Sequence, residues 1–211
     1  MKFNRLSILS GIVIIGVSWF SINRTGKHTL KPFREKSSHS LQSNTDTKLN
    51  SKAAAAKIFS KREGYNSSIC FLIDMSIESG KNRFFIYDLQ KDSLLNEGLV
   101  AHGNCFEYWL EKRRYSNVVG CGCTSLGKYK IGASYIGKFG YSYKLHGLDS
   151  TNNNAFERTV VLHSYSCVPD QETAGEICQS NGCPMVSPGF LQQLKAIIKS
   201  SKKPLLLWIY E

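Results

Sequence analysis

The sequence predicts a mainly-β domain, a sandwich or barrel with a few short helices. Three observations carry this. Short apolar runs recur from Ile69 to Tyr210, with Gly, Asn and Ser between them. Only two segments have helical character. The chain, 211 residues with 42% hydrophobic and 20% charged, suffices for one ordinary domain plus extensions. Many strands with few helices fit a layered or closed all-β architecture.

The elements follow in order. Lys2 and Arg5 precede Leu6–Ile22, an uncharged run that is apolar apart from serines. As a helix it would span roughly 26 Å at 1.5 Å per residue, slightly short of a bilayer core of about 30 Å. Residues 1–23 therefore read as a signal peptide or an N-terminal membrane anchor. Either one exports the body, and the anchor would hold it at the inner membrane. Residues 24–52 are polar, rich in Ser, Lys, Asn and Thr, and read as a disordered stem. Ala53–Arg62 contains strong helix formers, and a short lead-in helix is expected within 53–65, ended by Gly64.

The body, 66–211, then reads as strands. Ile69–Met75 and Arg83–Leu89 flank Ser79-Gly80-Lys81-Asn82 and predict an antiparallel hairpin. Leu94–Ala101 is a third strand, interrupted at Gly98. Lys128–Ile131, Tyr141–Leu145 and Thr159–His163 are short strand candidates. Ser187-Pro188 predicts a helix start, with Ser as N-cap and Pro at the first helical position. Pro204 stops that helix, and Leu205–Tyr210 is a final buried strand.

The net charge of +11 is unevenly placed. Residues 1–45 carry seven Lys/Arg and one acid; residues 46–211 carry twenty and fifteen. The body is only mildly basic and has no cationic stripe interleaved with aromatics, so nucleic acid is not an expected partner. A mildly basic face suits an anionic polymer.

The cysteines are Cys70, Cys105, Cys121, Cys123, Cys167, Cys178 and Cys183. Outside the cytoplasm six of them can pair if Cys183 stays free. Cys167 and Cys178 flank a polar loop and are placed to clip it. Cys70, within an apolar run, reads as a buried reduced thiol. Cys121-Gly122-Cys123 with Cys167, Cys178 or His102 lacks the ligand spacing of structural zinc sites. Cys121 and Cys123 read as structural or disulfide cysteines. No metal and no cofactor are expected.

Cys183 stands apart. It lies in Ser180-Asn181-Gly182-Cys183-Pro184, a turn without strand or helix periodicity, where a thiol adds little to a core. A turn of small residues can expose the sulfur and aim backbone N–H groups at an oxyanion. A nucleophilic thiol needs a base or a positive field. Of five histidines, His28 and His39 fall in the polar stem, leaving His102, His146 and His163. His163 ends the apolar run Val160–Leu162, so a strand would hold it rigidly.

The run from His163-Ser164 to Ser180-Asn181-Gly182-Cys183 resembles the catalytic motif of bacterial L,D-transpeptidases. Gly182-Cys183-Pro184 resembles in particular the murein L,D-transpeptidase catalytic domain family. Thr124–Ile131, Gly147-Leu148-Asp149, Asn154-Ala155 and Arg158 with the strand after it also fit that branch. Asn181 departs from the pattern, since many of these enzymes carry His there. The resemblance covers about 66–211.

The resemblance implies an L,D-transpeptidase fold acting on peptidoglycan stem peptides, with Cys183 as nucleophile and His163 as base. Ser164 would orient the His163 ring through its backbone. The N–H groups of Gly182 and Cys183 would cradle the oxyanion, with Asn181 and Ser180 shaping the turn. Arg158 and Tyr143 would bind the anionic stem, although Arg158 suits an edge-strand salt bridge equally well. An acceptor amine would make a cross-link, and water would make the enzyme an L,D-carboxypeptidase. A non-catalytic cell-wall-binding domain and an exported thiol-redox protein are the rival readings.

Overall fold

The structure, a computed structural model, describes residues 38–211. The expected signal or anchor and the first part of the stem lie outside the described residues. Among the described residues no helix is long and apolar enough to cross a membrane.

The first element is helix α1, Ser38–Arg62. Residues 38–52, expected as disordered stem, are therefore helical, and the helix begins well before position 53. Its buried positions include Leu49, Ala53, Ala56 and Ser60. That spacing puts them on one face. From Lys48 to Lys52 the contacts are mostly polar. Lys48 pairs with Asp74 at 3.0 Å, and Lys52 lies over the Trp208 and Tyr210 rings at 4.7 and 4.8 Å. Tertiary contacts of this kind leave no apolar period to read.

The hairpin is formed by β1, Ile69–Asp74, and β2, Phe84–Asp88. Beyond it come β3, Ser93–Gly98, and β4, Val100–Ala101. They divide the expected third strand near Gly98. A long hairpin follows, β5 over Gly127–Gly137 and β6 over Gly140–Gly147. Its exposed outer half extends past the predicted strands, because solvent-facing positions carry no hydropathy signal. Next are β7, Val161–Ser164, and β8, Met185–Val186. Thr159 lies outside β7 at φ 54°. Helix α2, Pro188–Ser200, has Ser187 as its N-cap, accepting from the Phe190 N–H at 3.1 Å. Strand β9, Leu206–Tyr210, ends the fold.

The nine strands among the described residues form one sheet in the order β3-β2-β1-β9-β5-β6-β7-β8-β4. Its pairs are antiparallel except β1 with β9 and β7 with β8. The two edge strands, β3 and β4, are consecutive in the chain, separated only by Leu99, so the sheet curls almost closed. Arg83, fully buried, holds that seam. Its guanidinium donates to the Val100 carbonyl at 3.0 and 2.7 Å, to the Ile77 carbonyl at 2.9 Å and to His102 Nδ1 at 3.0 Å. Burial lowers the Arg83 pKa to about 10, and burial beside Arg83 lowers that of His102 to about 3. His102 is thus a neutral structural acceptor.

Strands β1, β2 and β9 are buried on both faces. Phe71, Ile73, Phe84, Ile86, Leu207 and Ile209 point into the main core with Phe190, Leu191 and Leu194 of α2. Cys70, Leu72, Phe85, Tyr87 and Leu206 face α1. Strand alternation divides the two sets.

Candidate active site

The turn before β8 brings Cys183 against β7. The parallel register His163↔Met185 places Cys183 level with Val161. The Val161 N–H donates to Cys183 Sγ at 3.4 Å, and the thiol donates weakly to the Thr159 carbonyl at 3.9 Å. Val161 and His163 are two residues apart on one strand, so their side chains share a face. The structure thus brings the turn that carries Cys183 alongside β7, the strand that carries His163.

The turn itself is built by Ser180. Its Oγ donates to the Cys183 carbonyl at 2.6 Å and accepts from the Gly182 N–H at 3.2 Å. Its backbone is tied on both sides, to the His102 carbonyl and the Asn104 N–H, each at 2.8 Å. Ser180 is buried and braces the turn, whereas Asn181 is exposed. The Gly182 N–H, expected to face an oxyanion, is engaged by Ser180 instead. Gly182 takes φ 108°, and a Cβ there would lie 2.8 Å from the Cys123 carbonyl oxygen. Only glycine fits this position.

His163 is 2% exposed. Its Nδ1 bonds the Ser164 carbonyl at 3.2 Å. A carbonyl only accepts, so this contact makes Nδ1 the donor and leaves Nε2 without a proton in the neutral ring. Phe139, in the turn between β5 and β6, stacks on the imidazole at 4.6 Å between centroids. Phe139 was not singled out by its sequence. Its signal was an apolar ring between the glycines of a turn, where nothing local needs one.

Arg158 is half-buried and makes no salt bridge among the described residues. It donates to the Ser116 carbonyl and Ser125 Oγ, each at 2.9 Å, to Cys121 Sγ at 3.3 Å and to the Cys123 carbonyl. The guanidinium thus knits the 116–125 segment behind the turn that carries Cys183, which corrects both expectations for it, stem binding and an edge-strand salt bridge. Tyr143 is also corrected. It is 3% exposed, pairs with Leu162 in register and packs in the main core, away from the His163 face. Alternation along β6 gives Ser142, opposite His163, the site-facing position. His146 stacks on Phe156 at 5.0 Å.

Burial raises the pKa of the Cys183 thiol, and the Val161 N–H and the Arg158 charge oppose that rise. Burial lowers the His163 pKa, partly offset by the Ser164 carbonyl. Both shifts favour a neutral thiol and a neutral imidazole over a preformed ion pair.

Cys167–Cys178 form a disulfide, as expected, and Cys105–Cys123 form another. Cys70, Cys121 and Cys183 are free. Two bridges therefore stand where three were open to the sequence, and Cys121 is a thiol. Among the described residues no group of His, Cys, Asp or Glu is placed to hold a metal.

A sequence profile of the L,D-transpeptidase catalytic domain matches residues 41–210. The chain belongs to the L,D-transpeptidase catalytic domain family. The match takes in most of α1, so that helix is part of the family domain. No curated protein matches the sequence. Among solved structures, an L,D-transpeptidase from Mycobacterium smegmatis aligns at 10% identity and TM-score 0.39, covering 68% of this chain and 59% of that one. The helical cell shape determining protein Pgp2 from Campylobacter jejuni aligns at 12% and 0.43, covering 68% and 48%. An L,D-transpeptidase from Xylanimonas cellulosilytica aligns at 14% and 0.37, covering 72% and 67%. The alignments thus span about half to two thirds of those longer chains.

Proposed function

We propose that the protein is a cysteine-dependent peptidoglycan L,D-transpeptidase, with Cys183 as nucleophile and His163 Nε2 as base. One observation carries the reading: the Val161 N–H holds Cys183 Sγ beside the strand that presents His163, whose Nδ1 is anchored on the Ser164 carbonyl. Nucleophile, base and orienting group then stand in order.

Cys183 Sγ attacks the carbonyl between the third residue of a stem peptide and its terminal D-Ala. The thiol, in weak contact with the Thr159 carbonyl at rest, turns its proton toward His163 Nε2 and transfers it there. The Cys183 N–H supplies the oxyanion contact, since Gly182 is committed to Ser180. Collapse breaks the C–N bond, and His163 returns the proton to the departing D-Ala amine. A thioester remains. An acceptor amine attacks it, regenerates the thiol and completes a cross-link. Phe139, stacked on the imidazole, limits the access of water to His163. Export by the N-terminal apolar segment would put the domain where peptidoglycan lies.

The test is to incubate the full chain in detergent with tetrapeptide muropeptides, beside a Cys183→Ala control, and to analyse products by mass spectrometry. Loss of D-Ala with cross-linked dimers, absent in the control, is expected. Tripeptide without dimers would replace the reading by a carboxypeptidase. No product from either protein would overturn catalysis in favour of wall binding.

A further inference from the structure

Cys105, Cys121 and Cys123 form one cluster behind the catalytic turn. The Cys105 N–H donates to the Gly122 carbonyl at 3.1 Å. Cys105 therefore lies opposite the middle of Cys121-Gly122-Cys123, one residue from either flanking cysteine. Cys123 holds the bond to Cys105, and Cys121 is free and half-buried. Cys121 Sγ accepts from Arg158 Nη2 and from the Cys123 N–H, each at 3.3 Å. A guanidinium and a backbone N–H thus both donate to the sulfur that lies beside the disulfide, and that sulfur also touches the Ser116 carbonyl at 3.8 Å. The neighbouring disulfide is the electrophile that a thiolate attacks.

We infer that Cys121 is an exchange site for the Cys105–Cys123 disulfide, and that the pairing in force tunes the reactivity of Cys183. The second half rests on the proposed role of Cys183; the first does not. In the step, the Cys121 thiol gives its proton to solvent and its sulfur attacks Cys105 Sγ. The Cys105–Cys123 S–S bond breaks, a Cys105–Cys121 bond forms, and Cys123 leaves as a thiolate that takes up a proton. One disulfide and one thiol enter and leave, so no oxidant or reductant is consumed.

Two contacts carry the change to the active site. The Cys123 carbonyl is the surface against which Gly182 packs, and it also accepts from Arg158. Arg158 in turn touches Cys121 directly, and its charge acts on Cys183. Moving the bond from Cys123 to Cys121 removes a thiol from the guanidinium and frees the residue behind Gly182. Cys167–Cys178 lacks this arrangement, because no free thiol is in contact with either partner.

The full chain in detergent is incubated at pH 8 with a catalytic amount of a small thiol. Free thiols are then blocked at acid pH with a maleimide, and disulfides are mapped by mass spectrometry after non-reducing digestion. A Cys105–Cys121 population with blocked Cys123, growing on incubation, is expected. Cys105–Cys123 alone, with Cys121 fully blocked before and after, would overturn the exchange. The coupling is read from iodoacetamide alkylation of the Cys183 peptide. Two phases, in the ratio of the two pairings and several-fold apart in rate, are expected for the native chain, with a single phase for Cys121→Ser. One phase in both, while the mapping shows two pairings, would overturn the coupling. Neither readout requires turnover, so failure of the transpeptidase assay leaves both intact.

Discussion

The half of the sheet under α1 and the half that carries Cys183 are held by different forces. Strands β1, β2 and β9 are buried on both faces, and alternating apolar side chains specify them. On the other half β7 and β8 are short, and hydrogen bonds from Arg158, Ser180 and Arg83 set positions there. Two thiols show the consequence. Burial alone raises the Cys70 pKa to about 12, and nothing opposes it. Cys183 is pushed the same way, but the Val161 N–H and the Arg158 charge push back. Burial silences a thiol, whereas polar contacts beside it keep one usable.

The largest test of that division compares the two thiols directly. Cys183→Ala should abolish D-Ala release while costing about 1 kcal/mol of stability, the scale of the Val161 N–H bond that it removes. Cys70→Ala should leave turnover within twofold and cost about 1 kcal/mol, the scale of a small core deletion. Product analysis and thermal melting read both. Lost turnover in Cys70→Ala with an unchanged melt would break the comparison.

The next pair sets base against core. His163→Ala should lower kcat by about 10²–10⁴-fold, the usual contribution of a general base. Phe84→Ala, which leaves a hole facing Phe71 and Phe190, should cost about 3–5 kcal/mol. For a chain of this size that lowers Tm by roughly 6–20 °C. Turnover by the molecules still folded should be near normal.

The pH profile sharpens the comparison with a smaller effect. His163 works as a base only when neutral, and its pKa is lowered, so activity should rise with pH along an acid limb below about 6.5, the ordinary histidine value. The Cys183 pKa is raised, so alkylation should still be climbing at pH 9, above the ordinary thiol value of about 8.5. An acid limb centred above pH 7, or alkylation already level at pH 7, would instead indicate a preformed thiolate–imidazolium pair.

The two halves also differ in how legible they were. The β1/β2 hairpin, the break near Gly98, α2 and β9 follow from apolar runs and turn residues. Cys183, His163 and Ser164 could be singled out because a strand end and a turn of small residues are local signals, sharpened by the family resemblance. What failed depended on tertiary contacts. Tyr143 carried no mark of which face of β6 it occupies, so its place in the core could not be read. Arg158 looked like a substrate clamp because its four partners lie more than thirty residues away in sequence. The start of α1 was lost because a Lys48–Asp74 pair and cations over rings have no period.

The smallest prediction falls where the two halves meet. Ser187 follows β8 and caps α2, whose Phe190, Leu191 and Leu194 fill the main core. Its Oγ accepts from the Phe190 N–H and donates to Asp170 Oδ1. Ser187→Ala removes both bonds and leaves a helix N–H without its partner, at a cost of about 0.5–2 kcal/mol. That corresponds to a Tm lower by roughly 1–8 °C. The catalytic turn is tied instead through Ser180 to His102 and Asn104, so kcat/KM should stay within twofold of the native value. A larger kinetic loss at unchanged Tm would mean that the position of β8, and with it Cys183, is set by the helix cap rather than by the Ser180 bonds.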